Sequence, residues 1–402
     1  MTYRELAEAS AAWVLSQVGD DDGPYLADQP GQTRDSLYDG IAGLAPLLAE
    51  LRLSRPWSTS EQSLADGIVS RLTRSRTDEA SLYDGLAGHG FAIRLLSPGS
   101  EEPVLTRLAE LRTPAGWRTT WDIGADFVTD VVGGTAGIVM TQHWLGERVD
   151  VAPLLELAEV TPRGLDWRMH PGYASSSPNF SHGTAGVASL LALTGHVDEA
   201  VKGAEHLLGV GRLDDDGFAV PHTIPDSSRD VERFTWTWCH GPTGTSQLFA
   251  ALSRAGVDNI KEYDVSWLRR RCLDAVLAAG VPQRLRPGFW DNDGRCCGTA
   301  GVGDVLLDAA QDLHDETLLA HAVTMGDALV ERAVDGTRWQ FLEHRNVDPL
   351  LPAGHGWMQG AAGIATFLMR LARVQEQGLD AIVVDRPDQW WCVPERLLGS
   401  RA

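Results

Sequence analysis

A short unit, Gly-x-x-Gly leading into an apolar run, recurs seven times along this 402-residue chain. Its first glycines are Gly40, Gly85, Gly134, Gly183, Gly241, Gly298 and Gly360, in DGIAGLAPLL, DGLAGHGFAI, GGTAGIVM, HGTAGVASLL, HGPTGTSQLF, CGTAGVGDVL and QGAAGIATFL. One such pair carries no information. Seven spread over the whole length mark a repeat protein, whose units bury their apolar faces against their neighbours. Between the units lie amphipathic patterns at 64–75, 198–210, 265–280 and 316–334, with apolar residues every three or four positions. The segments after the glycine pairs are instead poor in charge and rich in Ala, Gly, Leu and Val. An apolar helix alternating with an amphipathic one predicts two concentric layers, and seven such pairs closing on themselves predict an all-α fold, an α/α toroid of about seven inner and seven outer helices. Extended structure is expected only briefly, as at 217–224 and 338–345. No linker divides the chain, so residues 1–402 are expected to form a single domain.

The glycines have a structural use in this arrangement, because they let helix backbones approach closely and turn sharply. At a helix entrance they are also expected to leave unpaired N–H groups facing the centre.

With 55 acidic against 34 basic residues, the net charge of −21 disfavours nucleic acid and anionic membrane as partners. The N-terminus has no basic region followed by an apolar run, and no stretch reaches the length of a membrane helix. A soluble, cytoplasmic protein is expected. Five cysteines, an odd number without a secretion signal, argue against a disulfide framework.

Aligning the units on their first glycine brings out a candidate site. The residues immediately before it are Asp39, Asp84, Gly133, His182, His240, Cys297 and Gln359; one place earlier stand Tyr38, Tyr83, Val132, Ser181, Cys239, Cys296 and Met358. In a toroid these positions ring one mouth of the barrel. Three cysteines and two histidines thus fall at matching places in three consecutive units. Cys239, Cys296 and Cys297 are read as ligands of Zn2+, since thiolates are good zinc ligands and three of them leave a fourth position open. Two plainer readings compete: buried packing, or a closed structural site completed by His240, Cys272 or Cys392. Arg295 beside the pair would favour thiolate character. His182 suits proton delivery to an enolate. Asp130, four residues before Gly134, either orients a histidine or only caps locally. His240 is open between ligand, proton-handling and oxyanion-stabilising roles, and Trp238, Trp290 and Trp357 are candidate walls.

The segments TDVVGGTAG, NFSHGTAG, TWCHGPTG, RCCGTAG and GWMQGAAGI resemble the LanC lanthionine cyclases, and the resemblance covers nearly the whole chain. It implies a double α-toroid with a central zinc. The family's zinc cysteines fall on Cys239 and Cys296. Its third ligand, histidine in many members, falls on Cys297, so the chain resembles the three-cysteine variant of some fused synthetases. The proposed acid/base histidine falls on His182, the conserved aspartate on Asp130, and the tyrosine or histidine after the first cysteine on His240. An arginine four residues before that cysteine in some members is Thr235 here, with Arg233 nearest. The implied reaction adds peptide cysteine thiols to dehydroalanine or dehydrobutyrine and forms thioether rings. Its implied partners are a dehydrated precursor peptide and separate dehydratase proteins of kinase and lyase type. Other readings are addition of a small thiol of glutathione type, a non-catalytic peptide scaffold, and an α/α-barrel enzyme acting on sugars or prenyl groups. For the last, Asp39 and Asp84 share the context SLYDG, which repeat duplication explains more simply.

Overall fold

The computed structural model describes residues 1–26, 33–226, 233–283, 292–341 and 353–389. Fourteen α-helices are found among them, joined by four short antiparallel hairpins, so the chain is all-α as expected. The helix after each glycine pair is an inner one: α2 (Leu44–Ser54), α4 (Leu86–Leu96), α6 (Thr135–Trp144), α8 (Thr184–Leu193), α10 (Pro242–Arg254), α12 (Thr299–Leu313) and α14 (Ala361–Gln377). Between them run α1 (Tyr3–Ser16), α3 (Thr59–Thr73), α5 (Glu102–Leu111), α7 (Ala152–Glu156), α9 (Val197–Val210), α11 (Val265–Ala278) and α13 (Glu316–Arg332). The hairpins are β1–β2 (Gly19–Asp20, Pro24–Tyr25), β3–β4 (Glu159–Thr161, Gly164–Asp166), β5–β6 (Arg212–Asp214, Gly217–Ala219) and β7–β8 (Asn259–Ile260, Tyr263–Asp264). Of the segments expected to be extended, Gly217–Ala219 is a strand. Arg338 makes an isolated bridge to Val334, and 342–345 lie outside the described residues.

The chain groups into two compact units. The first holds residues 1–110 and 284–386; the second holds 111–283 and 387–392. In the first, inner helices pack in the row α12, α14, α2, α4, with α13 laid on α12, α3 on α4 and the chain's first helix on α14. In the second the row is α6, α8, α10, with α7 on α6, α9 on α8 and α11 on α10. The two helix types differ as the periodicity predicts. Thirteen of the fifteen residues of α12 are buried, whereas α13 buries only Leu318, Ala322, Met325, Gly326 and Leu329, a single stripe.

Their entrances differ too. Four outer helices use side-chain caps: Thr2 and Ser58 form capping boxes with Glu5 and Glu61, and Asp264 and Asp315 cap α11 and α13. Inner helices start at glycine without a side-chain cap, and in α4, α6, α12 and α14 the first N–H groups are not left open as expected. The preceding loop folds back and supplies carbonyls from seven residues upstream. Thr299, Ala300 and Gly301 donate to Asn292, Asp293 and Gly294, and Thr135, Ala136 and Gly137 donate to Val128, Thr129 and Asp130. Shorter versions open α4 and α14. The loop then lies so close that a Cβ on Gly301 would overlap the Arg295 carbonyl, and one on Gly183 the Ser177 carbonyl.

The inner helices also carry charge that periodicity did not predict. Asp304 and Asp308, one turn apart on α12, are fully buried with Arg370 of α14 at 2.7 and 2.6 Å. Arg386 binds Asp304 at 2.7 Å, Arg295 reaches it at 3.4 Å, and Arg373 of α14 pairs with buried Glu50 of α2. Burial alone would raise the Asp304 pKa, but the guanidinium groups of Arg386, Arg370 and Arg295 outweigh it and hold it at about 2. A depressed carboxylate stabilises the fold above its unfolded pKa, and that stability is lost as pH falls from the ordinary 3.8 towards about 2.

Gly301→Ala should therefore destabilise the fold by about 1–3 kcal/mol in urea unfolding, through overpacking against the return loop. In acid titrations followed by circular dichroism, Asp304→Asn should be less stable at neutral pH, and its stability should change less than the wild type's below about pH 4.

Candidate metal centre and proton-handling site

Each unit binds its pre-glycine loops together through the residues two places before the first glycine. In the first unit Tyr38 N–H donates to the Tyr83 carbonyl, Met358 to Tyr38 and Cys296 to Met358, at 2.9, 3.0 and 2.9 Å. In the second, Val132 donates to Ser181 and Ser181 to Cys239, at 3.3 and 3.1 Å. All seven aligned positions take part, so the alignment of the repeats is a physical register within each unit.

In the second unit the next residue of each loop carries the chemistry. His182 Nδ1 lies 2.6 Å from Oδ2 of Asp130, which is fully buried. The other Asp130 oxygen, Oδ1, accepts the Gly133 N–H at 2.8 Å. The aspartate thus does both jobs that its sequence left open. Its capping job belongs to the repeat: four places before the first glycine, Ser36, Ser81 and Asn179 likewise accept the N–H of Asp39, Asp84 and His182. A polar residue at that place in successive units was a legible signal for this turn. The His240 ring centroid is 5.4 Å from that of His182, and His240 also stacks on His222 at 4.0 Å and 16°. Burial first, then the neighbouring His222 and His182, holds the His240 pKa well below the usual value, which keeps this ring neutral. His222 lies outside the repeats and was not found from sequence.

In the first unit Cys296 and Cys297 are buried and outside any disulfide, their sulfurs 3.3 Å apart. The phenol of Tyr38 hydrogen-bonds Cys296, and burial with both sulfurs nearby pushes its pKa well up. Its oxygen also accepts the Gln359 amide at 3.2 Å. Cys239, in the second unit, is buried and outside any disulfide, its sulfur 3.3 Å from Thr237 Oγ1. Cys239, Cys296 and Cys297 are each buried, and each carries one sulfur of the soft kind that suits a divalent ion such as zinc.

Several other candidates are placed elsewhere. Arg295 ion-pairs with Asp304 and lies over the Trp357 ring at 4.4 Å, since a buried guanidinium needs a carboxylate partner. Trp238 and Trp357 are fully buried, and Phe180 packs edge-on against Trp238. Cys272 sits within outer helix α11, where burial raises its pKa, and joins no group of metal-capable side chains among the described residues. Thr235 is buried, while Arg233 is exposed beside Asp226. Asp39 and Asp84 occupy matching capped turns, as repeat duplication implies. Cys392 and Trp290 lie outside the described residues. Among the described residues no helix is long and apolar enough to cross a membrane.

The all-α repeats and the cysteine and histidine loops define a chain of the lanthionine-cyclase class. The family described as lanthionine synthetase C-like protein matches residues 31–384, and the chain belongs to that family, in its three-cysteine form. Nisin cyclase is similar in structure, with 16% identity, a TM-score of 0.60 and coverage of 92% of this chain and 93% of that one; this likeness shows the fold. A type II terpene cyclase from Scytonema is more distant, with 13% identity, a TM-score of 0.43 and coverage of 92% and 97%. No curated protein matches.

The Asp130–His182 bond makes a direct prediction. The wild type should show a downfield Nδ1–H proton resonance from His182 by NMR, and Asp130→Asn should abolish it without loss of secondary structure.

Proposed function

We propose that this protein is a zinc-dependent lanthipeptide cyclase, which adds cysteine thiols of a dehydrated precursor peptide to dehydroalanine or dehydrobutyrine and forms lanthionine or methyllanthionine. The observation that carries this reading is that three buried cysteines occupy aligned pre-glycine places of two consecutive repeats in a chain of the LanC family. Cys239, Cys296 and Cys297 would hold the zinc. Bound there, the ion supplies the Lewis acidity that keeps a substrate thiol deprotonated near neutral pH.

The remaining chemistry falls to His182, Asp130 and His240. The substrate sulfur forms a bond to the β-carbon, the double-bond pair moves towards the carbonyl, and the enolate takes a proton at the α-carbon. The proton lost by the thiol is balanced by the one gained at carbon, so the reaction is a net addition without a redox cofactor. His182 is the proton donor in this reading. Asp130 fixes the proton on Nδ1, which leaves Nε2 to serve the substrate, and it stabilises the imidazolium while Nε2 holds its proton. His240, kept neutral between two imidazoles, presents a hydrogen bond to the reacting carbonyl without adding charge. Separate kinase- and lyase-type dehydratases would prepare the peptide.

Metal analysis by mass spectrometry should find about one zinc per chain in the native protein and little in Cys297→Ala. His182→Gln should keep its zinc but cyclise a dehydrated peptide about 10²–10⁴-fold more slowly. A metal-free protein from zinc-replete expression would sink the reading and leave a peptide-binding scaffold ahead.

A further inference from the structure

His222 belongs to none of the glycine repeats, yet its buried ring stacks on that of His240, centroid to centroid 4.0 Å at 16°. Its backbone is clamped on both sides. The His222 N–H donates to the Arg233 carbonyl at 2.8 Å, and its carbonyl accepts Nδ2 of Asn179 at 3.0 Å. Two residues on, Ile224 and Ser176 exchange a pair of backbone hydrogen bonds, each 2.8 Å. Asn179 is fully buried, and its other amide atom accepts the His182 N–H at 3.3 Å. One side-chain amide therefore ties the loop of His182 to the strap that carries His222. A filler of core space would not need a strap held at three points, nor near-parallel ring planes.

We propose that His222 is a positioning residue: through the strap held by Asn179 it fixes the His240 ring facing His182. The imidazoles of His182 and His222 both neighbour His240, and the amide that caps the His182 turn also holds the strap of His222. A ring that can rotate at His240 would lose its aim at the substrate carbonyl, and misplacement on the scale of an ångström costs up to about 10²-fold in rate. The kinetic consequence rests on the cyclase reading; the ring geometry does not.

The test compares zinc-loaded wild-type protein with His222→Phe, which retains an aromatic face, and His222→Leu, which fills similar space without one. Two signals are followed: the ring protons of His240 by NMR, and kcat and KM for cyclisation of a dehydrated peptide. In the wild type and His222→Phe the His240 protons should lie upfield, shifted by the stacked ring; in His222→Leu that shift should vanish. kcat should fall about 10- to 100-fold in His222→Leu, with KM and zinc content unchanged, and return to near wild-type level in His222→Phe. Wild-type shift and kcat in His222→Leu would overturn the proposal, as would loss of zinc in that variant, which would make the strap a support of the metal site instead. A zinc-loaded wild type that does not cyclise would refute the cyclase reading, while the NMR comparison still decides the stack.

Discussion

The entrance to each inner helix is the constraint on which the rest of the structure depends. A buried helix start exposes donors that no water can satisfy, and each one left unmade costs about 1–3 kcal/mol. Here the preceding loop doubles back, so that Asn292, Asp293 and Gly294 accept from the first turn of α12, and Val128, Thr129 and Asp130 from that of α6. A side-chain cap could satisfy one or two of those donors; a returning backbone satisfies three in order. The loop must then run against the helix, and only glycine leaves room for it, as at Gly301 beneath the Arg295 carbonyl. The glycine pairs are thus the steric condition for a backbone cap.

That arrangement determines where chemistry can be placed. With the loop folded back, the residue two places before the glycine is held laterally by its neighbour's backbone, as Met358 holds Cys296 and Cys239 holds Ser181. In four repeats the residue four places before, Ser36, Ser81, Asp130 or Asn179, caps the turn. The residue between them and the glycine keeps a side chain that the backbone frame does not use. It is aspartate, glutamine, cysteine, glycine or histidine in different repeats, which is how one repeated turn comes to carry both thiols and imidazoles.

What could be read from the sequence follows from the range of the interactions. The seven inner helices were legible because a glycine pair followed by an apolar run is a local signal, and the outer helices at 198–210 and 316–334 because their stripes repeat every turn. Cys239, Cys296, Cys297 and His182 stood out because repeat alignment turns distant residues into equivalent ones. Asp130 was only half legible, since its capping oxygen follows from the repeat but its bond to His182 joins two loops 52 residues apart. The carboxylates Asp304 and Asp308 contradicted the expectation of charge-poor inner helices. Their partners Arg370 and Arg386 lie far along the chain, and no pattern within α12 shows that they are neutralised.

The same distinction bears on Arg295 and His240. Adjacent to two cysteines, Arg295 reads as a group that stabilises thiolates. However, its position six residues before Gly301 makes it part of the return loop, pressed against the helix and facing inward, where a guanidinium survives only beside a carboxylate. His240 occupies the place that the frame leaves unused, so its ring meets the rings of His182 and His222 instead. In this fold, position relative to the glycine predicts a side chain's surroundings better than its neighbours in sequence do. A residue one place before the glycine faces other loops of its unit, and a residue six places before the second glycine faces the core.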